Sequence, residues 1–190
     1  MVRDADYWII PAIWSAWALY WWLAARQVKP TARRESVASR LSHIVPLLVA
    51  AALMMNSNLR IPGMNRVLVA HTPVSLALGV VMTAAGVLFA VWARRILGAN
   101  WSATVTVKQD HALMTSGPYA WVRHPIYTGL LLALAGTAIA IGQVRAAIGF
   151  VIAVLAILQK TRIEERVMLE QFGDVYRAYR ARVPRLIPFL

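Results

Sequence analysis

Cysteine is absent from the 190-residue chain. Disulfides, thiolate metal sites and cysteine nucleophiles are therefore excluded. Acid is scarce: 8 Asp and Glu stand against 20 Lys and Arg, a formal net charge of +12. The four histidines, His43, His71, His111 and His124, lie in separate segments without ligand spacing, so no metal centre is expected. Repeats and low-complexity segments are missing as well. The first residues, Met1 to Asp6, set Asp4 and Asp6 beside Arg3 and lack the basic n-region of a cleavable signal. The first apolar segment is therefore expected to be retained.

What the chain has instead is apolar length. Hydrophobic residues make up 59% of it, and its mean hydropathy is +0.57, whereas soluble domains run at about 45–50% apolar. The excess is gathered in runs long enough to cross hydrocarbon as helices. Tyr7–Ala25 is one, with Trp8, Trp14, Trp17, Trp21 and Trp22; Leu41–Asn58 and His71–Trp92 are the next two. Ile126–Ile141 and Ala146–Leu158 are shorter and are read as a hairpin turning at Gly142-Gln143-Val144-Arg145. The fifth helix is expected to continue as an amphipathic helix to Phe172, with Gly173 as its C-cap and an extended tail beyond. The run Thr104–Val107 has strand propensity but is too short to imply a sheet. The expectation is an all-α integral membrane protein of about five transmembrane helices. Residues 1–97 supply three spans, and residues 98–190 form one compact unit with them.

With five spans, sixteen of the Lys and Arg residues fall on one side and four on the other. The positive-inside rule then puts the N-terminus outside and the C-terminus in the cytoplasm, with a prokaryotic plasma membrane as the expected location. Basic loops beside anionic lipid also account for the net charge without nucleic acid. Every polar motif-bearing segment lands on the cytoplasmic side.

Three clusters carry potential chemistry. Thr115 to Gly129, which reads TSGPYAWVRHPIYTG, has turn signals at Gly117-Pro118 and at Pro125. They would hold Tyr119, Arg123, His124 and Tyr127 at the mouth of the bundle. An aromatic and basic interfacial belt would have a similar composition. Lys160 to Arg166 sets Glu164 and Glu165 beside a hydrophobic helix, where unneeded charge is costly, although local ion pairs on a solvated stripe read the same way. The tail, Phe172 to Pro188, would suit a headgroup anchor.

Taken in order, these segments resemble the isoprenylcysteine carboxyl methyltransferase family, within the wider set of membrane phospholipid and amine methyltransferases. The resemblance rests on GPYAWVRHPIYTG, the apolar hairpin, Glu164-Glu165, the Phe172-Gly173 segment with Tyr176 and Tyr179, and Val183 to Pro188. It covers residues 100–188. It implies S-adenosylmethionine as cofactor, in a cytoplasmic-facing pocket built by the C-terminal half. The implied cofactor contacts are His111, Ala112, Leu113, Met114, Tyr119, His124, Pro125, Ile126, Tyr127 and Glu165. It implies a lipophilic or prenylated acceptor, carboxyl O-methylation, and membrane lipids as partners. The family's arginine one turn before the carboxylate aligns with Thr161, so Arg162, one residue on, is the candidate to steer the acceptor beside Glu165. N-methylation of a phospholipid or small amine is the alternative chemistry. A non-catalytic transport or scaffold protein is the alternative class, although no span carries a clear ionisable residue at its centre.

Overall fold

The computed structural model describes residues 8–27, 31–56, 61–98, 101, 106–108 and 113–188. Among these the chain forms five α-helices: α1 (Ile9–Ala24), α2 (Val37–Met55), α3 (Pro73–Leu97), α4 (Pro125–Ile141) and α5 (Val144–Arg182). The described fold is helical apart from one antiparallel ribbon, β1 (Thr31–Arg34) with β2 (Thr106–Lys108), which pairs Arg33 with Val107 and Arg34 with Thr106. The strand propensity near Thr106 is therefore used, against a partner some 70 residues away that no local pattern reveals. α2, α3 and α5 are long and apolar enough to cross a membrane, while α1 and α4 are shorter apolar helices.

Two helices start or run on beyond their apolar runs because caps set the ends. Ser36 caps α2, its hydroxyl accepting from Ser39 N at 3.2 Å. Thr72 and Ser75 form a reciprocal capping box on α3, with Pro73 in its first turn. α3 then continues past Trp92 to Leu97, since Arg94 and Arg95 suit the negative end of a helix.

α3 and α4 pack along a seam of small residues. A Cβ on Gly86 would lie 2.4 Å from Gly129 O, and one on Gly136 would lie 2.6 Å from Gly79 O. The backbones touch, as in membrane helix pairs held by van der Waals contact. Within the seam Thr83 donates to Gly79 O at 2.8 Å, and Trp14 of α1 donates to Thr137 at 3.0 Å.

At one end of the bundle the α4–α5 turn, with Gly142 left-handed, accepts from Leu68 N and Val69 N in the α2–α3 connection. Buried Arg145 reaches across it and donates to Leu53 O, Met54 O and Asn56 O at 2.7, 3.1 and 3.3 Å. It thereby ends α2 from another helix. At the opposite end Arg94 does the same for α1, donating to Ala24 O at 2.9 Å beneath the ring of Trp101.

That second end also gathers the start of α4 and the far part of α5, beyond the apolar stretch that closes at Leu158. Gly173 was expected to stop α5. It bends the helix instead, with φ 50° and ψ −122°, and the helix resumes to Arg182. The second part is retained because Tyr176 and Tyr179 bury against the bundle, and Tyr179 OH donates to Tyr119 O at 2.6 Å. The residues that follow come back along the start of α4. Arg123 N donates to Pro184 O at 2.9 Å, His124 N to Arg185 O at 3.1 Å and Thr128 Oγ1 to Leu186 O at 2.7 Å.

Candidate active site

Pro125 opens α4, so His124 stands outside the helix as its N-cap, in a non-helical conformation. Its ring is held there, nine-tenths buried, against two consecutive residues of α5. Neighbours on a helix point about 100° apart, and the imidazole fits between them. Nδ1 lies 3.3 Å from Glu164 Oε2, and Nε2 lies 3.3 Å from Glu165 Oε1. With a carboxylate at each nitrogen, the ring is placed to carry both protons.

Glu165 is the centre of the cluster, at 3% exposure. Arg123 donates to its Oε1 through Nε at 2.9 Å, and its Nη2 lies 2.9 Å from the same oxygen. Arg185 spans both oxygens, Nε to Oε1 at 3.1 Å and Nη2 to Oε2 at 2.9 Å. Arg180 stands 3.9 Å away. Arg123 also donates through Nη1 to Arg180 O at 3.0 Å and to Val183 O, so the guanidinium clips the end of α5 to the segment before α4. Glu164 is more open. It accepts from Tyr127 OH, and the Tyr127 ring stacks on His124 with centroids 5.8 Å apart.

The charges follow from these contacts. Burial works against ionising Glu165, but hydrogen bonds from His124, Arg185 and Arg123 outweigh it and hold the carboxyl well below its ordinary range. Glu164 is lowered in the same way, with burial opposed by His124, Lys160 and Tyr127. Burial also works against charging His124, and the two carboxylates reverse that and raise it.

Of the residues expected at the site, His124, Tyr127 and Glu165 come together. Pro125 and Ile126 are buried beside them at the start of α4. Tyr119 and Met114 lie on the apolar side, packed with Ala93 and Ile126, and Tyr119 OH reaches Ala93 O at 3.4 Å. Leu113 is half-buried. His111 and Ala112 lie outside the described residues. Arg162 is not in the cluster: it is exposed and makes no polar contact with a described residue. Thr161 and Glu165 share the buried face of α5, with Thr161 fully buried and donating to Leu158 O at 2.9 Å. Arg162 is about 100° round from that face, which turns it to the surface with Arg166. The arginines that do reach the carboxylate, Arg123 and Arg185, were visible only as members of their own local motifs. Glu164 was visible as half of an acidic pair.

The isoprenylcysteine carboxyl methyltransferase (ICMT) family matches residues 77–170. The protein-S-isoprenylcysteine O-methyltransferase of Schizosaccharomyces pombe is 35% identical over 96 residues, covering 49% of this chain and 41% of that protein. That of Homo sapiens is 34% identical over 96 residues, covering 49% and 34%. The chain thus matches well under half the length of these relatives. The structure of a eukaryotic intramembrane Ras methyltransferase, ICMT, superposes with a TM-score of 0.55 at 24% identity, covering 80% of this chain and 52% of that one.

Proposed function

The chain belongs to the isoprenylcysteine carboxyl methyltransferase family through residues 77–170, and on that premise we propose that it is a membrane-embedded methyltransferase using S-adenosylmethionine. Its acceptor is the carboxyl group of a prenylated cysteine or a similar lipophilic acid. The relatives it resembles are named for that activity. The observation that carries the reading is the His124 bridge between Glu164 and Glu165, tied to Arg123 and Arg185 at one end of an apolar bundle.

The donor set fits this cofactor. A molecule with an ammonium, a carboxylate and a sulfonium needs acidic acceptors close to a cationic donor. Glu164 and Arg185 are such a pair, and their side chains stay partly open, at 21% and 28% exposure. Glu165, at 4%, is enclosed by its own partners. Glu164 would therefore hold the cationic end of the cofactor, Arg185 its carboxylate, and Glu165 would fix the arginines. When bound, S-adenosylmethionine supplies an activated methyl group. A carboxylate acceptor needs no general base once ionised, so the protein's part is alignment and exclusion of water. His124, held doubly protonated, acts as a strut that keeps Glu164 and Glu165 at a fixed spacing.

The charge asymmetry supports a cytoplasmic site, with the acceptor's tail entering from the bilayer. Calorimetric titration of the purified protein with S-adenosylmethionine tests the reading. Glu164→Gln should weaken binding by at least tenfold, the cost of about one charge-assisted hydrogen bond. Binding unchanged in Glu164→Gln and in His124→Ala would refute the site.

A further inference from the structure

α2 lies outside the family-matched segment and carries a residue whose surroundings the cluster above does not explain. His43 is fully buried, and its ring nitrogens make no hydrogen bond of full geometry among the described residues; the backbone of Ser39, one turn back, is the polar group its ring leans on. A buried imidazole held so loosely is uncommon, because its nitrogens have given up water for weak contacts in return. A carboxylate stands beside it: Glu35, just before the helix, has its Oε1 3.6 Å from His43 Nε2. The Glu35 side chain is enclosed and anchored: Ser39 Oγ donates to its Oε2 at 2.8 Å.

The pair faces the site. Gln159 Nε2 donates to Ser42 Oγ at 2.9 Å, which pins the residue before His43 to the residue before Lys160. Lys160 and Glu164 are both within electrostatic reach of His43. Lys160 Nζ stands 5.5 Å from the centre of the Tyr127 ring, and Tyr127 bonds Glu164. On the other side of α2, Leu41, Val45, Leu48 and Val49 are exposed apolar residues suited to lipid. His43 thus lies between a lipid-facing surface and the polar cluster.

We propose that His43, backed by Glu35, receives the carboxyl group of the lipophilic acceptor. The inference rests on the methyl-transfer reading above and assigns the acceptor end of that site. A carboxyl group leaving water for an apolar mouth is pushed toward its neutral acid, a poor nucleophile. A ring nitrogen of His43 takes the acid proton and leaves the acceptor as a carboxylate. The imidazolium so formed sits against Glu35, and one hydrogen bond joins ring and carboxylate. Arg162, turned to the surface, is not needed for this step.

The test uses the full chain in neutral phospholipid nanodiscs with S-adenosylhomocysteine present, so that binding is read without turnover. The probes are an N-acetyl-S-prenylcysteine with a free carboxyl and its methyl ester. Wild type is expected to prefer the free acid by about tenfold, the worth of one charge-assisted hydrogen bond. His43→Gln should bring that preference within twofold while S-adenosylmethionine affinity stays within twofold of wild type. Glu35→Gln, which can keep the Ser39 bond, should reduce the preference in the same direction and stands in if His43→Gln does not fold. A preference kept in both variants overturns the assignment of His43 and leaves the methyl-transfer reading standing. Loss of cofactor affinity in His43→Gln also overturns it, by moving the residue to the cofactor. Wild type binding neither probe overturns the acceptor class itself, and this inference with it.

Discussion

Replacing Arg123 by methionine keeps the apolar stem and removes the guanidinium. The loss can be worked from its contacts. Two nitrogens touch Glu165 Oε1 at 2.9 Å, and the third donates to the carbonyls of Arg180 and Val183. Both partners are enclosed, with side chains 8% and 4% exposed, so the comparison is with buried pairs, where removing one partner costs about 3–5 kcal/mol. Glu165 keeps Arg185 on both oxygens and His124 on one, which argues for the lower end, about 3 kcal/mol. For a domain of this size about 1 kcal/mol moves Tm by about 2–4 °C, so the expected drop is roughly 6–12 °C. Tryptophan fluorescence during thermal unfolding in detergent at neutral pH measures it, and Trp121 sits two residues from the substitution. Arg162→Met is the control. That residue is exposed and should shift Tm by less than about 2 °C, as surface changes do. Arg123→Lys should fall between, since it keeps the charge but loses the fork. If Arg123→Met and Arg162→Met shift Tm equally, Arg123 is not holding the cluster together.

The remaining predictions concern packing, capping and pH. Gly129→Val should lower Tm strongly, by about 3 kcal/mol or more in stability, because even its Cβ would come within 2.5 Å of Gly86 O; thermal unfolding reads it, and a neutral result would refute backbone contact between α3 and α4. Arg145→Met removes the Arg145 donor from two carbonyls of α2 and that of its C-cap Asn56 and should cost about 2–4 kcal/mol, with faster hydrogen exchange confined to the last turn of α2. His124 is raised above its ordinary 6.5, so its contribution is complete below that value and fades as pH rises through the folded-state pKa. Glu165 is lowered from 4.5, so its contribution is complete above that value and fades as pH falls through the folded-state pKa. Tm should therefore be highest between about 4.5 and 6.5, with His124→Gln losing the decline on the alkaline side; a Tm that rises from pH 6.5 to 8.5 would contradict the assignment.

The helices were legible because apolar runs and their turn residues are local. The turn at Gly142-Gln143 marks an end that a reader of short windows can find, whereas α2 begins at Val37, ahead of the apolar run from Leu41, because Ser36 caps it there. The resumption after Gly173 was not, since its cause is the docking of Tyr176 and Tyr179 on a surface made by other segments. The site divides in the same way. His124, Tyr127 and Glu165 belong to dense motifs and were named. Arg185 reaches Glu165 only because the last described residues run back along α4, a path that residue spacing does not encode. The exposed position of Arg162 follows from helical phase alone, once the buried face of α5 is known to hold Thr161 and Glu165.

Arg145 brings time into the fold. The carbonyls it satisfies belong to Leu53, Met54 and Asn56, and Leu53 precedes it by 92 residues. At about 5–20 residues per second of synthesis, the end of α2 waits roughly 5–20 s for its cap. Bilayer hydrocarbon offers those carbonyls no substitute, so through that interval water at the membrane surface must serve them. α2 can enter the membrane early, but its last turn stays at the surface until the α4–α5 turn arrives. The seating of one helix end thus becomes a timestamp for the arrival of a later hairpin.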